Sequence, residues 1–204
     1  MYLSKFIEDA VNELSKLPGV GKKTAFRYVL HLLDLQEQGI TNLTNSIKSL
    51  KTNAKRCQTC NVINDMDTCS ICQNPKRDIK KICIVENLKD LLAIEQTNQY
   101  FGLYHVLDGV ISPLDGIGPS DLSIDLLEKR ISDEAPMELI MALNPTIEGD
   151  TTIFYLTKKF SQPHIQISII SRGIAFGSEL DYTDSLTLGR SIEARQPYQN
   201  MISN

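Results

Sequence analysis

Cys57-x-x-Cys60 followed by Cys69-x-x-Cys72 constrains this chain more than any other stretch. Two CxxC turns so close together offer four sulfurs to one ion, and four thiolates are the ligand set of a tetrahedral structural zinc. Asn61, Asn64, Asp65 and Asp67 fill the gap with turn formers. Nothing there is apolar enough to build a core, so the segment is expected to use the metal as its core. Such binding is worth about 10–16 kcal/mol at structural sites. Two disulfides are the alternative use of the same residues. The leftover fifth cysteine, Cys83, and the lack of a signal-peptide pattern argue for a reducing cytosol instead. With sulfur at all four positions no open site is left for water. Cys57, Cys60, Cys69 and Cys72 therefore read as ligands of one structural zinc per chain.

The charge pattern divides the chain. Up to Lys81 there are 13 Lys and Arg against 8 Asp and Glu, a net +5; beyond it there are 8 against 17, a net −9. A basic first part suits a polyanion, and an acidic second part suits metal ions or a basic partner. At 204 residues and 42% hydrophobic, the chain can bury one good core or two modest ones. No apolar run approaches the roughly 18 residues of a membrane span. A cytoplasmic protein is expected.

The basic part opens on helices. Ile7, Val11, Leu14 and Leu17 recur at helical spacing, and Pro18 stops the pattern. Leu17-Pro-Gly-Val-Gly-Lys-Lys-Thr24 then leads into a second helical pattern at Ala25, Val29, Leu32 and Leu33. Helix, tight Gly-x-Gly turn, helix is the plan of a helix-hairpin-helix. Gly19 and Gly21 let the turn bring its amides against a phosphate, and Lys22, Lys23 and Arg27 would surround it. Such contacts hold nucleic acid without reading sequence. A nucleotide P-loop is excluded, because Lys16 and Lys23 stand where glycine and Ser or Thr are required. Gly39, Thr41 and Asn42 are expected to form a turn before a third helix at Leu43, Ile47 and Leu50. His31, among apolar neighbours, reads as a packed helical histidine.

The acidic part alternates strands and helices. Strands are expected at 80–86, 104–110, 139–143 and 165–170, and helices at 88–94, 121–130 and 148–160. That alternation implies a parallel sheet whose functional edge lies where strands end. Cys83, inside the first strand, reads as a small buried hydrophobe. Glu179, Asp181 and Asp184 fall in turn-like surroundings. With no P-loop, a Walker-B-like reading there does not support nucleotide hydrolysis.

Hairpin, four-cysteine finger and α/β part stand in that order. With them stand His105-Val-Leu-Asp-Gly-Val-Ile-Ser-Pro-Leu-Asp-Gly-Ile-Gly-Pro119, Asn144-Pro-Thr-Ile-Glu-Gly-Asp150 and Asp181-Tyr-Thr-Asp-Ser-Leu-Thr-Leu-Gly-Arg190. On these motifs the chain resembles the RecR family of bacterial recombination mediators, nearly end to end. The resemblance implies an α+β protein in parts: a helical helix-hairpin-helix domain at 1–54, a four-cysteine zinc finger at 55–78, a Toprim α/β domain with a mainly parallel sheet at 79–172, and a C-terminal assembly segment at 173–204. It implies DNA binding without sequence preference and a homo-oligomeric ring, expected to be a tetramer. It also implies work with RecO and RecF to load RecA at single-stranded gaps, near the nucleoid during repair.

Toprim enzymes hold magnesium with a glutamate after one strand and an Asp-x-Asp pair after another, because phosphoryl chemistry needs clustered negative charge. Glu86 matches the first position. The pattern DxDxEGE falls on residues 144–150, where Asn144 and Thr146 replace both paired aspartates. Glu148 survives, and Asp150 stands for the last glutamate. The remaining carboxylates suit weak magnesium binding through water and frame cleavage poorly. The expectation is a non-enzymatic scaffold, with a metal-dependent Toprim nuclease or primase-like enzyme as the alternative. Glu86, Asp90, Glu148 and Asp150 are expected to form an acidic cleft that receives a basic partner.

Overall fold

The structure is a computed structural model that describes residues 4–195 and 197. The chain separates into two compact units, Met1–Ala54 and Lys55–Asn204.

In the first unit, α1 (Lys5–Leu14) and α2 (Lys22–Asp34) pack through Val11, Ala25 and Val29, with Ile7, Ala10, Leu14, Val20 and Phe26 around them. Gly19 turns the chain at φ 77°, a conformation that costs a residue with a Cβ. His31 is exposed, contrary to expectation. It lies two residues beyond the buried Val29 and so about 200° around the helix. Gly39, Thr41 and Asn42 sit inside α3 (Glu37–Asn53) rather than before it. Thr44 and Ser46 return their hydroxyls to the carbonyls of Ile40 and Asn42. Over 17 residues, cooperative propagation outweighs local turn preference.

In the second unit, β3 (Asp78–Val85), β4 (Gly102–Val106), β5 (Glu138–Ala142) and β6 (Gln166–Ile169) form a parallel sheet in the order β4-β3-β5-β6. The connections run through α5 (Leu88–Gln96), α6 (Ile124–Glu134) and α7 (Ile147–Phe160). Side chains alternate along a strand, so β3 feeds two cores. Ile82 and Ile84 join Leu139, Met141, Leu127 and Leu156 beneath α6 and α7. Cys83 and Val85 join Tyr104, Val106 and Leu91 on the other face. The expected α+β plan is what the fold has.

The cysteine segment supplies β1 (Lys55–Arg56), β2 (Ile63–Asn64) and the short α4 (Ser70–Gln73). Cys57, Cys60, Val62 and Cys69 are buried in the same core as Cys83, Tyr104 and Val106. The expectation that metal alone provides this segment's core is therefore corrected: it also packs on the sheet. It covers an edge as well. β4 ends the sheet order, and its free groups are met by Cys60 and Asn61. The Val106 N–H donates to the Cys60 carbonyl (2.9 Å), and Asn61 Nδ2 donates to the Val106 carbonyl (2.9 Å). Arg77 and Arg130 reach the carbonyls of Gly102 and Tyr104 at 3.3 and 2.6 Å. An edge whose groups are taken offers little to a foreign strand.

Three further boundaries differ from expectation. β4 stops at Val106, because Asp108 and Gly109 turn the chain at φ 70° and 151°. Helix α6 starts at Ile124, after Pro119–Asp121 forms its own 3-10 turn. Asp184, read as part of a turn, caps α8 (Ser185–Glu193), accepting from the Thr187 N–H at 2.9 Å.

His105 on β4 is fully buried, with Nε2 2.8 Å from the Ser123 carbonyl and Nδ1 without a partner. Burial, aided by the nearby Arg130 guanidinium and opposed by the Ser123 hydrogen bond, pulls its pKa down to about 4. The unfolded chain therefore binds the extra proton first as pH falls below the ordinary histidine value. The stabilisation is whole above about pH 6.5 and is lost as pH drops towards 4. Urea unfolding should show about 2 kcal/mol lost between pH 7 and pH 5 from this residue. His105→Gln should remove that part of the slope; an unchanged slope would contradict the assignment.

Candidate functional site

The four Sγ atoms of Cys57, Cys60, Cys69 and Cys72 lie within 4.8 Å of one another. None is in a disulfide, and Cys60 Sγ is 3.6 Å from Cys69 Sγ. Four thiolates about 2.3 Å from one tetrahedral ion would stand about 3.8 Å apart, so the cluster fits a metal ion. Local structure sets it up. The Asn61 N–H closes the first knuckle on the Cys57 carbonyl (2.9 Å), with Asn61 at φ 62°. The Cys69 N–H points at Cys57 Sγ (3.4 Å), and the Cys72 N–H at Cys69 Sγ (3.5 Å). Hydrogen bonds from Cys60 and Cys72 hold the Cys69 thiol far below its ordinary value, and sharing with Cys69 pushes Cys60 up. Cys83 lies outside the cluster, and burial pushes its thiol up to about 12.

In the first unit, Gly21 caps α2 without a side-chain hydrogen bond, which leaves that helix's first amides unanswered by a side chain. Lys22, Lys23 and Arg27 are exposed, with no carboxylate in salt-bridge range among the described residues. Lys23 and Arg27 are one turn apart on one face. The first turn of α2 holds two lysines and no acid, the reverse of what the helix dipole favours. Gly19 and Gly21 are exposed and would have open space around an added Cβ. Close approach of a ligand to this turn is unobstructed from within its own unit.

The third site is the carboxyl edge of the sheet. The chain leaves β3 for β4 on one side and returns to β5 on the other, so the crevice of this α/β sheet falls between the ends of β3 and β5. Glu86 and Asn144 stand there. Asn144 Nδ2 donates to Glu86 Oε2 at 3.0 Å. Asp90 lies near enough for burial and the Glu86 charge to raise its pKa, and its Oδ2 is buried without a partner. Thr146 Oγ1 accepts from the Gly149 N–H at 3.0 Å and caps α7. Glu148 is half-buried on the first turn of α7. Asp150 is engaged by Arg172 at 2.6 Å, with Arg190 at 3.9 Å. Among the described residues, the cysteines are the only group of three or more His, Cys, Asp or Glu side chains placed for one ion. The four acids do not converge in that way.

Family models match three segments: "RecR, helix-hairpin-helix" over residues 7–51, "Toprim domain" over 80–171 and "RecR, C-terminal" over 173–196. The chain is 53% identical to the recombination protein RecR of Amoebophilus asiaticus over 97% of its own length and 98% of that relative. The chain belongs to the RecR family. The RecR proteins of Cytophaga hutchinsonii and Bacteroides thetaiotaomicron are each 52% identical, over 96% and 95% of this chain and equal shares of theirs.

Within this RecR-family chain, four side chains at the sheet edge escape a reading of the sequence. Arg56 reaches Asp108 at 2.6 Å across the finger, and Arg172 and Arg190 turn back onto Asp150. Each pair is distant in sequence and has no local periodicity to betray it. Gly149, in the Thr-x-Glu-Gly stretch, was legible as a motif and is explained by packing. A Cβ there would collide with the backbone oxygen of Asn144. Gly149→Ala should destabilise the protein by about 1–3 kcal/mol, read by denaturant unfolding. Wild-type stability would show that the Asn144 loop yields without cost.

Proposed function

We propose that this chain is a non-enzymatic DNA-binding mediator of recombinational repair, which acts with RecO and RecF to load RecA at single-stranded gaps. One observation carries the non-enzymatic part: Asn144 donates its amide to the Glu86 carboxylate at 3.0 Å. An aspartate in that place would bring a second negative charge for a divalent ion. Asparagine instead occupies an oxygen of the surviving glutamate, and Thr146 spends its hydroxyl on capping α7. Magnesium at this edge would be held weakly, through its water shell, by Glu86 and Glu148. Incubation with supercoiled and single-stranded DNA plus Mg²⁺ or Mn²⁺ should give no nicking. Protein-dependent nicking that disappears in Glu86→Ala would establish the Toprim nuclease alternative.

The metal is proposed to be zinc, one per chain, bound by Cys57, Cys60, Cys69 and Cys72. It would supply structural cross-linking, since four sulfurs leave no place for substrate. DNA is assigned to Gly19, Gly21, Lys22, Lys23 and Arg27, supported by the unpaired cations and the uncapped turn. Partner recognition is assigned to Glu86, Asp90 and Glu148. Asp150, held by Arg172, would join them if a basic partner displaced that arginine.

Assembly into a ring, proposed to be a tetramer, is supported by apolar surface in both units. Phe6, Ile7, Leu32, Leu33 and Ile40 line a groove of about 320 Å³ in the first. Phe176, Leu180, Tyr182 and Leu186 are exposed in the C-terminal segment of the second. A ring multiplies a weak phosphate site, because later contacts are effectively intramolecular.

Lys22→Glu with Lys23→Glu should weaken DNA binding and flatten its salt dependence by about 0.7 in logarithmic slope per lost phosphate contact on single strands and about 0.9 on duplex. Metal content and mass in solution should not change. Binding that keeps its slope would remove the hairpin from the interface.

A further inference from the structure

The finger and the sheet edge are connected by a continuous run of contacts. Arg56, one residue before the first ligand, places Nη2 2.6 Å from Asp108 Oδ2, and Nη1 3.3 Å from the Asn61 carbonyl. Asn61, one residue after the second ligand, holds the Val106 carbonyl with its amide, and the Cys60 carbonyl holds the Val106 N–H. Both groups at the end of β4 are thereby fixed by the first cysteine knuckle. From Val106 the chain passes directly into the turn that carries Asp108 and Gly109 at positive φ. The N–H groups of both residues donate to the Glu86 carbonyl, at 2.8 and 3.2 Å. Leu107, between them and β4, donates to the Val85 carbonyl at 2.9 Å.

We infer that the metal-bound first knuckle holds the turn at 107–109, and through it Glu86, in position, with Arg56 as a positioning residue. The physical reason lies in the strain of the turn. Asp108 is a residue with a Cβ in the left-handed region, a conformation that costs more than it would for glycine and is held more firmly where its surroundings fix it. The Arg56–Asp108 pair is half-exposed and weak by itself. It gains effect because Arg56 is itself fixed by Asn61, which the knuckle orders. The knuckle in turn would be ordered by Cys57 and Cys60 sharing one ion. Glu86 belongs to the edge proposed above to receive a basic partner, and the functional value of this coupling rests on that reading.

Hydrogen–deuterium exchange on the full-length protein tests the coupling without any partner. The zinc-loaded protein is compared with protein stripped by a thiol reagent and chelator, and with stripped protein reloaded with Zn²⁺. Amides of Val106, Leu107, Asp108 and Gly109 should exchange at least about tenfold faster after stripping and recover on reloading, while those of Leu139 and Met141, whose side chains lie in the other core, keep their protection. No change at 106–109, or equal acceleration in both sets, overturns the inference. In metal-loaded Arg56→Gln, with zinc content retained, the amides of Asp108 and Gly109 should exchange several-fold faster and that of Val106 should not. Unchanged exchange there removes Arg56 from the path. Capture of the basic partner by Glu148→Lys at wild-type strength would refute the partner-edge reading and leave the exchange result standing.

Discussion

Four sulfurs within 4.8 Å of one another cannot all carry negative charge unless a cation lies among them. Left to themselves they divide unequally. Hydrogen bonds from Cys60 and Cys72 lower the Cys69 thiol, and the same sharing raises Cys60. A bound ion removes that conflict, and protons leave as it enters. The cluster also sits against Tyr104, Val106 and Cys83, so the order it imposes passes straight into the second core of the sheet. An α/β sheet of four strands needs cover on both faces. Here α6 and α7 cover one, and α5 with the cysteine segment covers the other. The finger thus replaces part of a helical layer and at the same time occupies the free groups of β4.

This arrangement relates the surviving acids of the edge to the lost ones. Glu86 lies at the sheet crevice, yet its carboxylate is held by an asparagine, its backbone carbonyl by two turn amides, and its neighbour Asp90 is raised by burial. Thr146 and Gly149 build the start of α7, and Asp150 is taken by Arg172, with Arg190 of the C-terminal segment nearby. Charge that would gather around a reacting phosphate in an enzyme is divided among structural hydrogen bonds and ion pairs. What remains is the edge proposed above for recognition of a basic partner. The first unit carries the complementary charge, presented on an uncapped helix start.

The plan of the fold was legible because periodicity and spacing are local. The cysteine spacing, the β-branched run of β3 and the helical stripes of α1 and α2 each lie within a few turns of chain. Features that depend on a distant partner were not legible. Arg56 and Asp108 are separated by 52 residues, and nothing in either neighbourhood marks the other. His105 sits in a motif, but its burial against Ser123 follows only from the placement of α6. The polar gap between the cysteine pairs suggested a segment with no core but its metal. It concealed that the cysteines themselves, with Val62, are the apolar surface that packs. Gly39, Thr41 and Asn42 misled for the opposite reason: local turn preference was read where a 17-residue helix overrides it.

The finger, the β4 edge and the Glu86 turn are proposed to depend on one ion drawing four sulfurs together against the sheet. X-ray absorption at the zinc edge of the purified protein examines that directly. It should find four sulfur neighbours at about 2.3 Å and no nitrogen or oxygen bound to the ion. A protein that carries no metal and holds its cysteines in disulfides, or one whose ion is bound by oxygen at the sheet edge, would contradict it.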